Sequence, residues 1–193
     1  MSDVKLQSGT SSQTSPASPL SEILNAHARM EIQCGEIYVQ FATTFAGHPE
    51  LKVMWTTMAL EEGGHAALIR AVNRGLLSGL FEAKSPLLPF EYLESLAAQL
   101  KEYKRRAGEG VGLDEALRIT WELECSELDF MRELLVASSN VAELGLPTNE
   151  AKDNHFGRVR QLIQKHATDE TLRREVTFIS SELLRPLSTA GDD

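Results

Sequence analysis

Cysteine is nearly absent: the 193 residues include two, Cys34 and Cys125, far apart and not in a C-x-x-C pair. That argues against a disulfide framework and makes a reducing cytoplasm the expected compartment. Aromatic residues are scarce, 6% against 42% hydrophobic in total, a balance that suits helices better than a β-sandwich. No run of about 18 apolar residues occurs, so no membrane-spanning helix is expected. Basic charge is also short: 19 Lys and Arg against 28 Asp and Glu leave a net charge of −9. Nucleic acid and anionic membranes are therefore poor partners. Met1 to Pro19 is rich in Ser, Thr, Gln and Pro and lacks the apolar stretch of a secretory signal. Residues 1–20 read as a disordered tail, 21–179 as one helical domain and 180–193 as a second tail.

What the chain does have is helical periodicity. Leu20, Ile23, Leu24, His27, Met30, Cys34, Ile37, Tyr38, Phe41 and Phe45 recur at steps of three and four, predicting a first helix over about 21–45. Ser21 is its expected N-cap and Gly47 its stop, with Pro49 opening the next helix. A second helix is predicted over 49–76, on Leu51, Met54, Trp55, Met58, Ile69, Val72 and Leu76. A third is predicted over 113–136, on Leu113, Leu117, Trp121, Leu128, Met131 and Leu135. A fourth, 149–179, carries Phe156, Val159, Ile163 and Val176. Residues 77–112 form a long connection, within which 90–106 has the pattern of a short helix. Such a connection lets the third helix cross over and run parallel to the second, the one-crossover form of a ferritin-like four-helix bundle.

Each of these stripes is interrupted near its middle by acid. Glu31 lies between Met30 and Cys34, Glu62 and His65 between Met58 and Ile69, and Glu124 between Trp121 and Leu128 with Glu127 one turn on. Glu170 lies between His166 and Arg173. Residues three and four apart share a helix face, so these groups point where the neighbouring apolar side chains point. Burying several carboxylates together is prohibitive unless a cation joins them. Carboxylate oxygens with an imidazole nitrogen suit iron or manganese, and also zinc. In di-iron carboxylate bundles, two helices each give a Glu and the other two each give a Glu-x-x-His. Glu62-Gly63-Gly64-His65 matches that motif, whereas Glu170-Thr171-Leu172-Arg173 matches in its glutamate and not in its histidine.

Glu31 with Tyr38 seven residues on, Leu60-Glu61-Glu62-Gly63-Gly64-His65-Ala66, the pair Glu124-x-x-Glu127 with Phe130, and His166-Ala167-Thr168-Asp169-Glu170 together resemble the rubrerythrin branch of the ferritin-like superfamily. The resemblance spans about residues 21–178. It implies a dinuclear iron site that reacts with hydrogen peroxide or oxygen, with Glu31, Glu62, His65, Glu124, Glu127 and Glu170 as metal ligands. Glu127 is then expected to move on and off the metal, and Tyr38 to stand beside the site; these two are the candidate catalytic residues. Without a C-x-x-C pair there is no rubredoxin-type iron, so electrons would come from an external donor. A guanidinium has no lone pair for a metal, so Arg173 implies one strong metal position and a weaker second. Gly63 and Gly64 cost roughly 1 kcal/mol each against alanine in a helix.

Other residues have plainer readings. Glu61 is the alternative inward residue to Glu62. His27 and His166, one turn before Glu31 and Glu170, read as core histidines, with His166 the imidazole best placed to replace the missing ligand. Cys34 reads as a small buried residue, Glu36 and the run Lys101, Lys104, Arg105, Arg106 as solvated, and His48 and His155 as surface. The functional expectation is a rubrerythrin-like iron oxidoreductase. The alternatives are a non-enzymatic iron-binding or storage protein and a structural bundle with a degenerate site. Such bundles commonly pair, so a homodimer is expected.

Overall fold

Pro49 sets the first corner of the chain. Lacking an N–H, it sits in the first turn of a helix, where that donor would have no partner, and the backbone of Phe45 to His48 turns just before it with bonds of 2.9 Å. The computed structural model describes the backbone of residues 19–80, 90–137 and 149–183, and the side chains of 20–80, 93–126 and 157–178. Among these residues the chain is all helical, with six helices and no strand. They are α1 (Pro19–Thr44), α2 (Pro49–Leu77), α3 (Phe90–Glu109), α4 (Leu113–Ala137), α5 (Asn149–His166) and α6 (Glu170–Leu183). Of the expected tails, residues 1–18 and 184–193 lie outside the described residues, as does the 81–89 part of the connection, whereas 19–20 belong to α1 and 180–183 extend α6 beyond the expected end at 179. No helix among the described residues is long and apolar enough to cross a membrane.

α1 and α2 form an antiparallel hairpin and pack along most of their length. Trp55 anchors the corner, with Phe41 and Phe45 each 5.4 Å from it between ring centroids. Its Nε1 donates to Thr120 Oγ1 at 2.9 Å, and that hydroxyl donates to the Ala116 carbonyl at 2.8 Å. The polar ends of this buried pair are thus satisfied, and α4 is tied to the hairpin. The corner glycine, Gly47, is not among the glycines with positive φ. The left-handed stop belongs to Gly79, with φ 70°, where Leu80 and Gly79 N–H groups return to the Gly75 and Leu76 carbonyls and close α2.

The segment expected as a short helix is α3, a 20-residue element. It buries Leu93, Leu96, Leu100, Tyr103 and Ala107 in the main core and packs on α1. Its charged face is tied down by ion pairs: Lys104 to Glu36, Arg105 to Glu102 and Glu109, and Arg106 to Glu115 across the tight turn into α4. The side chains of Leu128, Met131, Leu135, His155 and Phe156 lie outside the described residues.

The predicted fourth helix is broken. α5 ends at His166, and Asp169 starts α6 as an N-cap, its Oδ1 accepting from the N–H of Thr171 at 2.8 Å and of Leu172 at 3.3 Å. α4 fixes the break from outside. Asp114 accepts from the Thr168 N–H at 2.6 Å and from its hydroxyl, and Arg118 pairs with Asp169 at 2.7 Å and with Glu175 at 3.2 Å. α6 folds back beside α5, with Gln164 Nε2 reaching Thr177 Oγ1 at 2.8 Å. On the far side of α5, Lys165 pairs with Glu50 at 2.6 Å and Arg158 with Glu61 at 2.9 Å, which sets α5 antiparallel to α2.

Candidate metal centre

The seam between α1 and α2 carries the site. Gly35 lets the two helices meet: a Cβ there would lie 3.3 Å from the Ala59 carbonyl oxygen and 3.4 Å from Glu62 Cβ. One turn before Gly35 on α1 is Glu31, and opposite it on α2 are Glu62 and His65. Apolar packing continues on both sides of this polar layer. The main core, with Met58, Trp55 and Tyr38, lies towards the corner, and a separate cluster of Leu24, Ala28, Ile69 and Val72 lies towards the other end.

Glu31 is 3% exposed, Glu62 fully buried, and the His65 side chain 23% exposed. His65 Nδ1 lies 3.1 Å from Glu62 Oε2 and 3.7 Å from Glu31 Oε2. On its other side, Glu31 Oε1 is 4.0 Å from His27 Nδ1. Burial pushes the Glu31 carboxyl up, but hydrogen bonds with His65 and Glu62 and the charge of both histidines hold it below the usual carboxylate range. His27 is driven the other way: burial lowers its pKa to about 4 despite the attraction of Glu31, so its ring is neutral at pH 7.

Glu31, Glu62 and His65 each offer one ligand atom, all within 4.8 Å of one another. An ion holding oxygen and nitrogen ligands tetrahedrally at about 2.1 Å keeps them about 3.4 Å apart. The 3.1 and 3.7 Å separations bracket that value, so the donors fit one divalent ion with small side-chain movements. Two buried carboxylates beside one imidazole also match the charge and the hard-to-borderline chemistry of iron, manganese or zinc.

The remaining expected ligands divide. Glu124 is buried, but its Oε1 accepts from the Tyr38 hydroxyl at 2.8 Å, two turns along α1 from Glu31. The side chain of Glu127 lies outside the described residues. Glu170 corrects the expectation drawn from a continuous fourth helix. The break at Asp169 turns it outward, its side chain is 74% exposed, and it pairs with Arg174 at 3.2 Å. Arg173 is likewise exposed, so it does not occupy a ligand position in the core. His166 does not replace the missing ligand either; its Nε2 is 3.1 Å from Glu50 Oε2, near the start of α2. Glu61 pairs with Arg158 and leaves the inward position to Glu62.

Sequence reasoning passed over Gly35 and the Asp169 cap. The cap had a visible signal, Thr168-Asp169 directly before Glu170, the Asp-then-acid pattern of a helix start. No family model matches the chain, and neither a curated protein nor a solved structure is found similar to it.

Proposed function

We propose that this protein is a metal-binding helical bundle of the ferritin-like, rubrerythrin-like kind, holding iron or manganese through Glu31, Glu62 and His65 and acting as an oxidoreductase towards hydrogen peroxide or oxygen. The observation that carries the reading is the convergence of these three side chains in the α1–α2 seam within 4.8 Å. The contacts of α4 favour the bundle topology. Asp114 at the start of α4 holds Thr168, and His166 and Lys165 just before it meet Glu50 at the start of α2, the arrangement expected if α4 runs parallel to α2.

Bound iron would supply one-electron redox chemistry. The chain's own residues hold it and control access. His65 is the partly exposed ligand and marks the side from which small molecules arrive. The apolar clusters on either side of the polar layer limit water. Tyr38 holds the Glu124 carboxylate by donating to its Oε1 at 2.8 Å. Electrons come from a separate donor, since the sequence has no C-x-x-C pair for a second iron.

The test is anaerobic loading with ferrous iron followed by peroxide or air. The reading expects the bound iron to be oxidised faster than free iron, and a Glu62→Ala/His65→Ala variant to lose that acceleration. Bound iron that oxidises no faster than free iron favours the second reading, a protein that binds iron without turning it over. The closed shape of the site, with Glu31 and Glu62 buried, is the feature in favour of that second reading.

A further inference from the structure

The two helices that carry the candidate centre also present an apolar face to solvent. Ile32 and Val39 on α1 are 37% and 55% exposed, and Val53 and Leu60 on α2 are 65% and 74% exposed. Within each pair the spacing is seven residues, which returns to the same helix face. At about 100° per residue, Ile32 and Val39 turn to one side of Gly35 and the buried Cys34 and Tyr38 to the other. Val53 and Leu60 likewise lie across Ala59 from the buried Met58 and Glu62. The four side chains therefore stand on the outside of the hairpin, with the core behind it. Gly63 and Gly64 continue this face and are exposed. Bare backbone thus lies between solvent and the side chains of Glu62 and His65, which flank the glycine pair.

The free charges around this face are of one sign. Arg29, Lys52, Arg70 and Arg74 are exposed on the same two helices, and none forms an ion pair among the described residues. The acids of α1 and α2 outside the centre are mostly engaged: Glu36 with Lys104, Glu50 with Lys165 and Glu61 with Arg158, which leaves Glu22. In a chain of net charge −9 this is a local reversal of sign. A second copy docked by the same face would bring the same cations to the contact, whereas a partner rich in carboxylates is steered to it.

We infer that this face docks a small acidic protein that carries one electron, and that the electron enters the centre across the Gly63–Gly64 backbone. The inference rests on the reading of Glu31, Glu62 and His65 as a redox metal site fed by a separate donor. Contacts of electron-carrying proteins are small, under about 1,200 Å², with an apolar middle and a polar rim. Here Val53 to Leu60 covers about 10 Å of helix, with Lys52 before one end and Arg70 and Arg74 past the other. Over the glycine pair a partner reaches the helix backbone itself, about 3 Å nearer the axis than where side chains project. Each encounter oxidises the carrier by one electron and reduces bound iron(III) to iron(II). Two encounters supply the two electrons that, with two protons from solvent, convert hydrogen peroxide to two molecules of water.

A purified acidic ferredoxin with one [2Fe–2S] cluster is the probe. Calorimetry reads its binding to the full-length, chelator-treated chain, and stopped-flow absorbance reads the reduction of bound iron(III) by reduced ferredoxin. One-to-one binding that weakens as salt rises is expected. Arg29→Glu/Arg70→Glu and Leu60→Asp should each weaken it about tenfold and slow the reduction by the same factor at low ferredoxin, with helicity and metal content unchanged. Lys101→Glu, which reverses an exposed charge on α3, should change neither. No binding, or binding equal in wild type and both variants, overturns the docking face and leaves the metal centre standing. A wild-type dimer that Leu60→Asp separates in sedimentation also overturns it, because a second copy then covers the face. Failure of wild type to bind iron overturns the metal centre itself, and electron delivery with it.

Discussion

Gly35 lies against Ala59 so closely that a methyl group in place of its hydrogen would meet the Ala59 carbonyl oxygen at 3.3 Å. That oxygen belongs to the α2 backbone and cannot rotate away. Glu62 Cβ would be met at 3.4 Å. The width of the seam at the candidate centre is therefore set by a missing side chain.

Two kinds of glycine should consequently respond in opposite ways. Gly35→Ala gains about 1 kcal/mol in helix preference but overpacks the seam, at a typical cost of 1–3 kcal/mol. The net expectation is a loss of roughly 1 kcal/mol in urea unfolding and metal affinity about tenfold weaker. At Gly63 and Gly64 a Cβ would meet nothing within 4 Å among the described residues. Alanine at either should stabilise by about 0.5–1 kcal/mol and leave metal content unchanged.

Arg173 and Glu170 should be silent in metal binding. Both are exposed on α6 beyond the Asp169 cap. Arg173→His is expected to add no metal, and Glu170→Gln to remove none, by elemental analysis. A gain of bound metal in Arg173→His would mean that α6 swings inward.

His27 should make the metal-free protein weaker in mild acid. Its pKa falls from 6.5 in the unfolded chain to about 4 when folded. Between those values the unfolded state takes up a proton that the folded state refuses, so stability falls as pH drops. At about 1.4 kcal/mol per unit, the loss from pH 7 to pH 4 is about 3 kcal/mol. Urea titrations in chelator should show it, and His27→Phe should flatten this part of the profile.

Much of this architecture is legible in the sequence, for a physical reason. Apolar residues at steps of three and four can only be buried together by a helix, so α1, α2 and α4 follow from their stripes. Glu31, Glu62 and His65 interrupt those stripes and are carried into the seam with them. The spacing also carries a signal of the break between α5 and α6: Ile163 and Val176 are 13 residues apart, which would put them about 140° apart around a continuous helix at about 100° per residue. Local capping by Asp169, paired with Arg118 of α4, lets both reach the core. Gly35 and the His27 contact depend on how closely two helices approach and on side-chain direction, which spacing along one chain does not encode. Glu124 is buried as its stripe requires, and its hydrogen bond from the Tyr38 hydroxyl joins two helices, which the spacing within either helix does not encode.

The central claim is that Glu31, Glu62 and His65 hold a metal ion, and elemental analysis tests it most directly. Wild-type protein and the Glu62→Ala/His65→Ala variant are purified identically without chelator, and iron, manganese and zinc are counted per folded chain. The account predicts bound iron or manganese in wild type and a loss of the ion from this position in the variant, with helicity retained. Metal content undiminished in the double variant, or absent from wild type even after loading with ferrous iron and manganese(II), would contradict it.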